Sequence, residues 1–267
     1  MKELSKLIPE SLKEETSTPE TTKTIPSRYN GKNVAEIEKE EKTTPKGKEI
    51  NSSESGKKSN AKGYDFHECV TSLNKKGKEQ FGDHFIINPA DYEIVFKLLV
   101  FAIKDTASAA RFNINLSKGI LLSGPVGCGK TTLMSLLNNF IHQPNRHVMK
   151  SSREVSFEFI QDGYEVIHKY SRNSFNRKGE NTWPRIYCFD DLGTENSLKY
   201  YGNECNVMAE ILLSRYDLFV QKKMLTHITT NLSASEIEDM YGNRVRSRMR
   251  EMFNLVSFDK NTNDKRS

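Results

Sequence analysis

Apolar residues are sparse at the start of the chain and regularly spaced after residue 63. Residues 1–62 are rich in Lys, Glu, Ser and Thr, whereas aromatic residues arrive in quick succession from Tyr64 onward. A stretch this polar buries too little apolar surface to offset the entropy that is lost on ordering. We therefore predict a disordered tail at 1–62, a connecting segment at 63–84, a folded domain at 85–260 and a second disordered tail at 261–267.

Within the folded part, short apolar runs alternate with segments of helical spacing. Apolar residues at every third or fourth position, together with N-cap residues such as Asn88, predict helices between the runs. The alternation of strands and helices predicts an α/β fold with a parallel sheet. The predicted strands are 119–123, 155–160, 185–190, 224–231 and 253–258.

The turn after the first predicted strand carries the most specific chemical pattern. Residues 124–131 read Gly-Pro-Val-Gly-Cys-Gly-Lys-Thr, which fits G-x-x-x-x-G-K-[ST] in full. Glycines allow a tight turn whose N–H groups point inward, Lys130 can reach the β- and γ-phosphates, and the Thr131 hydroxyl can ligate Mg²⁺. The pattern predicts a nucleoside triphosphate site formed by Gly124, Pro125, Val126, Gly127, Cys128, Gly129, Lys130, Thr131 and Thr132.

Polar residues end two later strands, where an α/β sheet places its ligand. Asp190 ends the third predicted strand, Asp191 follows it directly, and Asn231 ends the fourth. Because the carboxyl ends of parallel strands lie at one edge, these side chains should approach the glycine-rich turn. We expect Asp190 to hold the Mg²⁺ through water and Asp191 to act as a base or to orient water.

Composition narrows the class of protein. The chain has 267 residues, of which 36% are hydrophobic, and a mean hydropathy of -0.67, with no run near the ~20 apolar residues of a membrane span. The start of the chain lacks the apolar core of a signal peptide, and the four cysteines contain no Cys-x-x-Cys pair. These features predict a cytoplasmic protein that does not enter membranes.

Basic residues cluster at two places, although the net charge of +5 is only weak evidence for a nucleic-acid partner. The stretch 171–182 contains Arg172, Arg177 and Lys178, and it is either a surface loop or a DNA-facing loop. In 243–252, Arg246 and Arg250 share one flank of a helix, which is either solvated or suited to phosphate contacts.

Four segments, taken in order, resemble the motifs of AAA+ ATPases, and within them the branch of DnaC/DnaI helicase loaders and IstB-like transposition ATPases. The resemblance spans residues 85–258, and its segments are Gly-Pro-Val-Gly-Cys-Gly-Lys-Thr-Thr, Phe-Asp-Asp-Leu-Gly-Thr-Glu, Thr-Thr-Asn-Leu and Tyr-Gly-Asn-Arg-Val-Arg-Ser-Arg-Met. It implies a five-stranded P-loop sheet of order 5-1-4-3-2 with helices on both faces, and ATP with Mg²⁺ as the ligands.

The resemblance also implies a role for each matching residue. Lys130 and Thr131 match the Walker A lysine and hydroxyl, and Asp190 matches the Walker B metal carboxylate. Asp191 matches the catalytic acid and Asn231 matches sensor 1. Arg248 matches the arginine finger that reaches the γ-phosphate of a neighbouring subunit, with Arg244 as a second arginine.

The implied activity is ATP hydrolysis in a helicase loader that acts in DNA replication. The implied partners are single-stranded DNA, a replicative helicase or a transposase, and further copies of the chain when ATP is bound. Asp191 replaces the Glu of many AAA+ proteins, so we expect slow hydrolysis that oligomerisation or DNA stimulates. The residues after Phe258 are too few for a helical lid, so a reduced or absent lid is expected.

Several alternatives remain open from the sequence. The chain is also consistent with an IstB-like ATPase of transposition or with an ATP-dependent binding module of little turnover. A small-molecule P-loop kinase is a further alternative, although the Thr-Thr-Asn231 strand end and the arginine-rich helix fit it less well. In the polar tail, Leu4, Leu7, Ile8 and Leu12 have helical spacing, so this segment is either plainly disordered or an arm that folds on a partner.

Overall fold

A parallel β-sheet flanked by helices forms the centre of the computed structural model, which describes residues 65–195, 198–200 and 203–266. The helices are α1 (Phe66–Phe81), α2 (Tyr92–Ile103), α3 (Thr106–Arg111), α4 (Lys130–Leu137), α5 (Ser152–Asp162), α6 (Glu165–Tyr170), α7 (Val207–Lys222) and α8 (Ala234–Met252). The strands are β1 (Gly119–Ser123), β2 (His147–Ser151), β3 (Phe175–Lys178), β4 (Asn181–Pro184), β5 (Ile186–Leu192), β6 (Leu198–Tyr200), β7 (Asn203–Cys205), β8 (Thr226–Thr230) and β9 (Phe253–Ser257). The predicted tail at 1–62 lies outside the described residues.

The central sheet has the strand order β2-β5-β8-β1-β9, and every neighbouring pair is parallel. Numbered along the chain, this is the predicted order 5-1-4-3-2, which is therefore confirmed. The strand β1 lies between β8 and β9, with Leu121 opposite Ile228 and also opposite Leu255. The turn that leaves β1 is thus next to the carboxyl end of β8.

The predicted strand at 155–160 is wrong, because these residues lie inside α5. The second strand of the sheet is instead β2, which pairs with β5. Val155 and Phe159 are four residues apart and fully buried, whereas Phe157 and Ile160 are 52% and 55% exposed. Burial therefore follows the helical period, and it overrides the strand preference of Val, Phe and Ile.

Two further segments differ in detail from the prediction. The polar stretch 171–182 is not a plain loop, because much of it forms an antiparallel hairpin of β3 and β4 that turns at Gly179. Apolar residues at helical spacing predict one helix over 203–220. The helix α7 begins only at Val207, since the Asn206 side chain accepts a hydrogen bond from the Ala209 N–H and caps it. Ser233 caps α8 with a capping box that includes Glu236, and Gly242 interrupts this helix at φ 81°.

Helices cover both faces of the central sheet, as predicted. On one face, Ile120 and Leu122 of β1 pack with residues of α1, α2 and α4. On the other face, Leu121 packs with residues of α5, α6, α7 and α8. Successive residues of a strand point to opposite faces, so β1 is buried along its whole length. The segment predicted as a connector contains α1, whose Phe66 and Leu73 belong to the first of these two cores.

In the described part of the chain, none of the helices combines the length and the apolar character that a bilayer crossing requires.

Candidate nucleotide-binding site

The glycine-rich loop connects β1 to the first turn of α4. Gly127 and Gly129 have φ values of 79° and 97°, which residues with a side chain rarely adopt. The Gly124 N–H donates to the Thr230 carbonyl at 3.2 Å and ties the loop to the end of β8. Because α4 begins at Lys130, the positive end of its dipole faces the loop. The local geometry is therefore that of an anion-binding turn.

The Lys130 side chain is held inside the loop. Its ammonium donates to the carbonyl oxygens of Gly124 at 3.0 Å and Pro125 at 2.9 Å, and the residue is 6% exposed. These contacts place a positive charge beside the loop N–H groups. A phosphate in the loop would offer this ammonium a charged acceptor, and charge-assisted hydrogen bonds are stronger than those to carbonyls.

A carboxylate from β5 meets a hydroxyl from α4 next to this loop. The Thr131 hydroxyl contacts the Asp190 carboxylate oxygens at 2.9 and 3.0 Å, and the Thr229 hydroxyl donates to Asp190 Oδ1 at 2.6 Å. Burial raises the pKa of Asp190, while the hydrogen bonds from Thr229 and Thr131 oppose that rise. Hard oxygen donors from a hydroxyl and a carboxylate suit Mg²⁺, so Thr131 and Asp190 fit the predicted metal position.

The strand β5 contains a bulge at the two aspartates. Phe189 pairs with Ile228 and Leu192 with Thr230, so Asp190 and Asp191 together lie opposite Thr229. Asp191 adopts φ 53°, its N–H donates to the Thr229 hydroxyl at 2.9 Å, and its carbonyl accepts from the Thr194 hydroxyl at 2.8 Å. The bulge therefore fixes how both carboxylates leave the strand, and one hydroxyl contacts both aspartates.

Asn231 directly follows β8, which lies between β5 and β1. Its position is therefore at the same edge as the glycine-rich loop and the two aspartates, and the residue is exposed. The structure brings together the predicted loop residues, Asp190, Asp191 and Asn231 at the carboxyl edge of the sheet.

Arg248 is not part of this cluster. It lies in α8, where its guanidinium stacks on the Tyr216 ring at 4.3 Å from the centroid and donates to the Tyr216 hydroxyl at 3.1 Å. Glu251 is 3.6 Å from the same guanidinium. Arg244 lies exposed on the same helix. Within the described residues, the contacts of Arg248 are therefore with α7 and α8, and none is with the phosphate loop of its own chain.

The basic residues that the sequence singled out lie away from the loop. Arg177 and Lys178 are exposed on the hairpin that precedes β5, whereas Arg250 is exposed in the last turn of α8. Arg246 is paired with Glu238. Since the hairpin and the end of α8 precede strands, they lie near the amino edge of the sheet, opposite the loop.

Sequence reasoning missed three residues that contact the predicted site residues or the turn next to them. Thr229 contacts both aspartates, and Glu195 accepts the Gly193 N–H at 2.9 Å and the Tyr241 hydroxyl, so it fixes the turn after the bulge. Lys265 contacts the glycine-rich loop from the end of the chain. Glu195 and Thr229 lie within two of the motif segments given above, so the sequence already placed them close to the predicted site residues. Lys265 lies 137 positions from Cys128 and outside every motif, so nothing in the sequence indicated its contact with the loop.

Comparison with known proteins adds a family match. Residues 120–255 match the family described as ATPase family associated with various cellular activities (AAA). A search of curated proteins finds no match.

Among solved structures, the chain is similar to the DnaC helicase loader, with 20% identity and a TM-score of 0.44 over 65% of this chain and 92% of that one. It is similar to DnaI with 18% identity and a TM-score of 0.42, over 67% and 90% of the two chains. A putative primosome component from Streptococcus pyogenes serotype M3 matches with 16% identity and a TM-score of 0.45, over 72% and 92%.

Proposed function

Because the chain belongs to the AAA family of ATPases, we propose that it binds ATP with Mg²⁺ at the carboxyl edge of its sheet and hydrolyses it. The observation that carries this proposal is the contact of the Thr131 hydroxyl with the Asp190 carboxylate at 2.9 Å. These residues are 59 positions apart, and their meeting supports the joint use of the two motifs in a single metal position.

Each residue of the proposed site has a defined task. The loop N–H groups and Lys130 bind the phosphates, while Thr131 and Asp190 hold the Mg²⁺. When bound, the metal ion supplies positive charge against the phosphate oxygens. Asp191 accepts a proton from the attacking water and Asn231 orients that water. The bulge and Thr229 hold Asp191 next to Asp190 for this purpose.

The site is completed by a second copy of the chain. Within the described residues, Arg248 contacts Tyr216 and Glu251 and not its own phosphate loop, and its side chain is 37% exposed. A triphosphate in a neighbouring subunit offers a more highly charged partner than Glu251 does. ATP binding would therefore favour an oligomer, and hydrolysis would weaken it.

Biologically, the proposed role is that of a DnaC-like helicase loader in DNA replication, supported by the motif resemblance. The alternative is an IstB-like ATPase that regulates transposition, which shares the same motifs. A pull-down from the native host in the presence of ATP distinguishes them, since a replicative helicase supports the first and a transposase the second.

The proposed nucleic-acid surface is the amino edge of the sheet. Basic residues precede each strand of the central sheet, and parallel strands begin at one edge; these residues are Lys118, Arg146, Arg185, Lys222, Lys223 and Arg250. In the described part of the chain, ion pairs with carboxylates instead involve Lys76, Lys97, Lys150, Lys169, Arg246, Arg248 and Lys265.

Helix dipoles explain only part of this pattern. Lys222 and Arg250 lie in the last turns of α7 and α8, where a positive charge is favoured. Arg146 and Arg185 precede strands outside helices, and the hairpin adds Lys178. A row of cations that form no ion pair with a described carboxylate suits a phosphate backbone, so we assign this edge to single-stranded DNA.

Hydrolysis in the wild type, Lys130→Ala and Arg248→Ala proteins tests the catalytic part of the proposal. Lys130→Ala should abolish ATP binding. Arg248→Ala should bind ATP normally but lose hydrolysis, because the finger acts only across the subunit junction. Normal hydrolysis by Arg248→Ala would show that the finger assignment is wrong. No wild-type turnover in single-turnover assays, with or without DNA, would favour the binding module.

Fluorescence anisotropy with labelled oligo-dT tests the DNA surface. Arg177→Ala/Lys178→Ala should bind more weakly and with a shallower dependence of affinity on salt, because fewer counterions are released. Lys97→Ala is the matched control, since Lys97 is paired with Glu93 on α2. An affinity that is undetectable or independent of salt would contradict the assignment.

A further inference from the structure

The segment after β9 folds back along the phosphate loop. Phe258 continues from β9 through its N–H, which donates to the Ser123 carbonyl at 2.9 Å, and its side chain covers Gly124. Six residues later, Asp264 lies against Gly127. A Cβ on either glycine would overlap these residues. We call the segment 259–266 the C-terminal strap. The phosphate loop and the residues after β9 therefore pack too closely to admit a side chain on Gly124 or Gly127.

Lys265 makes the polar contacts between the strap and the loop. Its N–H donates to the Gly127 carbonyl at 3.0 Å, and its ammonium donates to the Cys128 carbonyl at 2.8 Å. The same ammonium is 2.5 Å from the Asp91 carboxylate and 4.9 Å from the centre of the Phe258 ring. A single side chain thus connects the turn before α2, the phosphate loop and the end of β9.

These contacts involve the carbonyl oxygens of the loop and leave its N–H groups free of the strap. A peptide whose carbonyl is fixed outward has its N–H fixed on the opposite side, because the peptide unit is planar. Within the described residues, the hydrogen bond to the Asp264 carboxylate comes from the Arg266 N–H and none comes from the loop. The hydrogen bonds between the strap and the loop are therefore made to loop carbonyl oxygens and involve none of the loop N–H groups.

We propose that the C-terminal strap is part of the nucleotide site and that Lys265 is a positioning residue for the phosphate loop. By binding the Gly127 and Cys128 carbonyls, Lys265 holds the loop N–H groups in the orientation that phosphates require. Asp91, 5% exposed, anchors the ammonium in place. This inference rests on the proposed ATP site and names a residue that the loop needs in order to bind tightly.

The test separates positioning from simple stabilisation by comparing three variants of the full chain. Lys265→Met leaves the Asp91 carboxylate buried without its cation, so it should lower both the unfolding temperature and the affinity for N-methylanthraniloyl-ATP with Mg²⁺. Asp91→Asn/Lys265→Met removes that unpaired charge. It should recover the unfolding temperature while binding the nucleotide about tenfold more weakly than wild type, since a hydrogen bond from a charged group is lost. Lys265→Arg, which keeps a cation at this position, should bind the nucleotide with an affinity close to that of wild type.

Lys260→Met is the matched control, because Lys260 is exposed on the same segment; it should bind as wild type does. Wild-type affinity in Asp91→Asn/Lys265→Met would overturn the inference and leave the nucleotide site intact. If the wild type binds this probe no better than Lys130→Ala does, the result contradicts both the proposed ATP site and the proposed role of Lys265.

Discussion

At the scale of single residues, Thr229 is the side chain on which the acidic pair depends. Its hydroxyl is fully buried, donates to Asp190 at 2.6 Å and accepts the Asp191 N–H at 2.9 Å. No other side chain in the described site contacts both aspartates. One hydroxyl therefore holds both the proposed metal carboxylate and the backbone of the proposed catalytic acid.

Thr229→Val should impair both stability and turnover. Valine keeps the shape of the side chain but leaves the half-buried Asp191 N–H and the Asp190 carboxylate with one partner fewer, at about 1–3 kcal/mol. We expect a lower free energy of unfolding in urea and at least about a tenfold loss of ATP turnover. Thr229→Ser, which retains the hydroxyl, should keep most of both. Equal behaviour of the two variants would show that the hydroxyl is dispensable.

The site residues that could be predicted from the sequence are those with a local pattern. The glycine spacing around Lys130 is contiguous, and Asp190 follows an apolar strand, so both are visible without a structure. Thr229 acts through partners 38 and 39 positions away, and Lys265 through partners 137 and 174 positions away. Such contacts arise only when the sheet assembles, so no local spacing records them.

At the scale of elements, Arg215 of α7 holds several pieces of the fold together. It is fully buried and donates to the Tyr170 and Leu225 carbonyls at 2.7 and 2.8 Å, and to the Thr226 hydroxyl at 2.7 Å. A further contact reaches the Arg185 carbonyl at 3.2 Å, where the hairpin enters β5. The guanidinium therefore links α6, α7, the hairpin and β8.

Arg215→Met should be strongly destabilising. Methionine fills much of the volume but leaves several buried oxygens unsatisfied, at about 1–3 kcal/mol each before relaxation. We expect a large fall in the urea midpoint, and Arg215→Lys should recover only part of it because one ammonium cannot reach all the acceptors. A midpoint within error of wild type for Arg215→Met would contradict this role.

The wrong prediction of a strand at 155–160 is also explained by how whole elements pair. The composition of that run favours a strand, and both a strand and a helix would have buried part of it. The run forms a helix because β2 already occupies the position beside β5, so α5 instead covers one face of the central sheet. Predicting it required knowledge of which segment pairs with β5, and that pairing is not encoded locally.

At the scale of the whole molecule, two buried histidines link stability to pH. The His147 and His227 rings meet at 5.0 Å between centroids, and burial lowers the pKa of both, that of His147 to about 4. The unfolded chain, with histidine pKa values near 6.5, therefore binds protons before the folded chain does. Stability is lost as pH falls below about 6.5.

From pH 7.5 to pH 5, His147 should reduce the free energy of unfolding by about 2 kcal/mol. The measurement is urea unfolding of wild type and His147→Gln at the two pH values. Glutamine can keep the donor to the Met134 carbonyl but does not titrate. The loss in the wild type should exceed that in the variant by about this amount, and identical losses would exclude His147 as the cause.

The left-handed backbone of Asp191 restricts which acid can serve there. Aspartate and asparagine tolerate this conformation better than longer residues do, for which it costs about 1–2 kcal/mol. Asp191→Glu has a longer side chain but should hold the strained backbone less firmly, so it should hydrolyse ATP no faster than wild type. Asp191→Asn should keep the backbone conformation but lose hydrolysis. The φ of 53° at the bulge therefore favours a short acid at this position, and under the proposed function we expect the backbone conformation to limit the rate of hydrolysis.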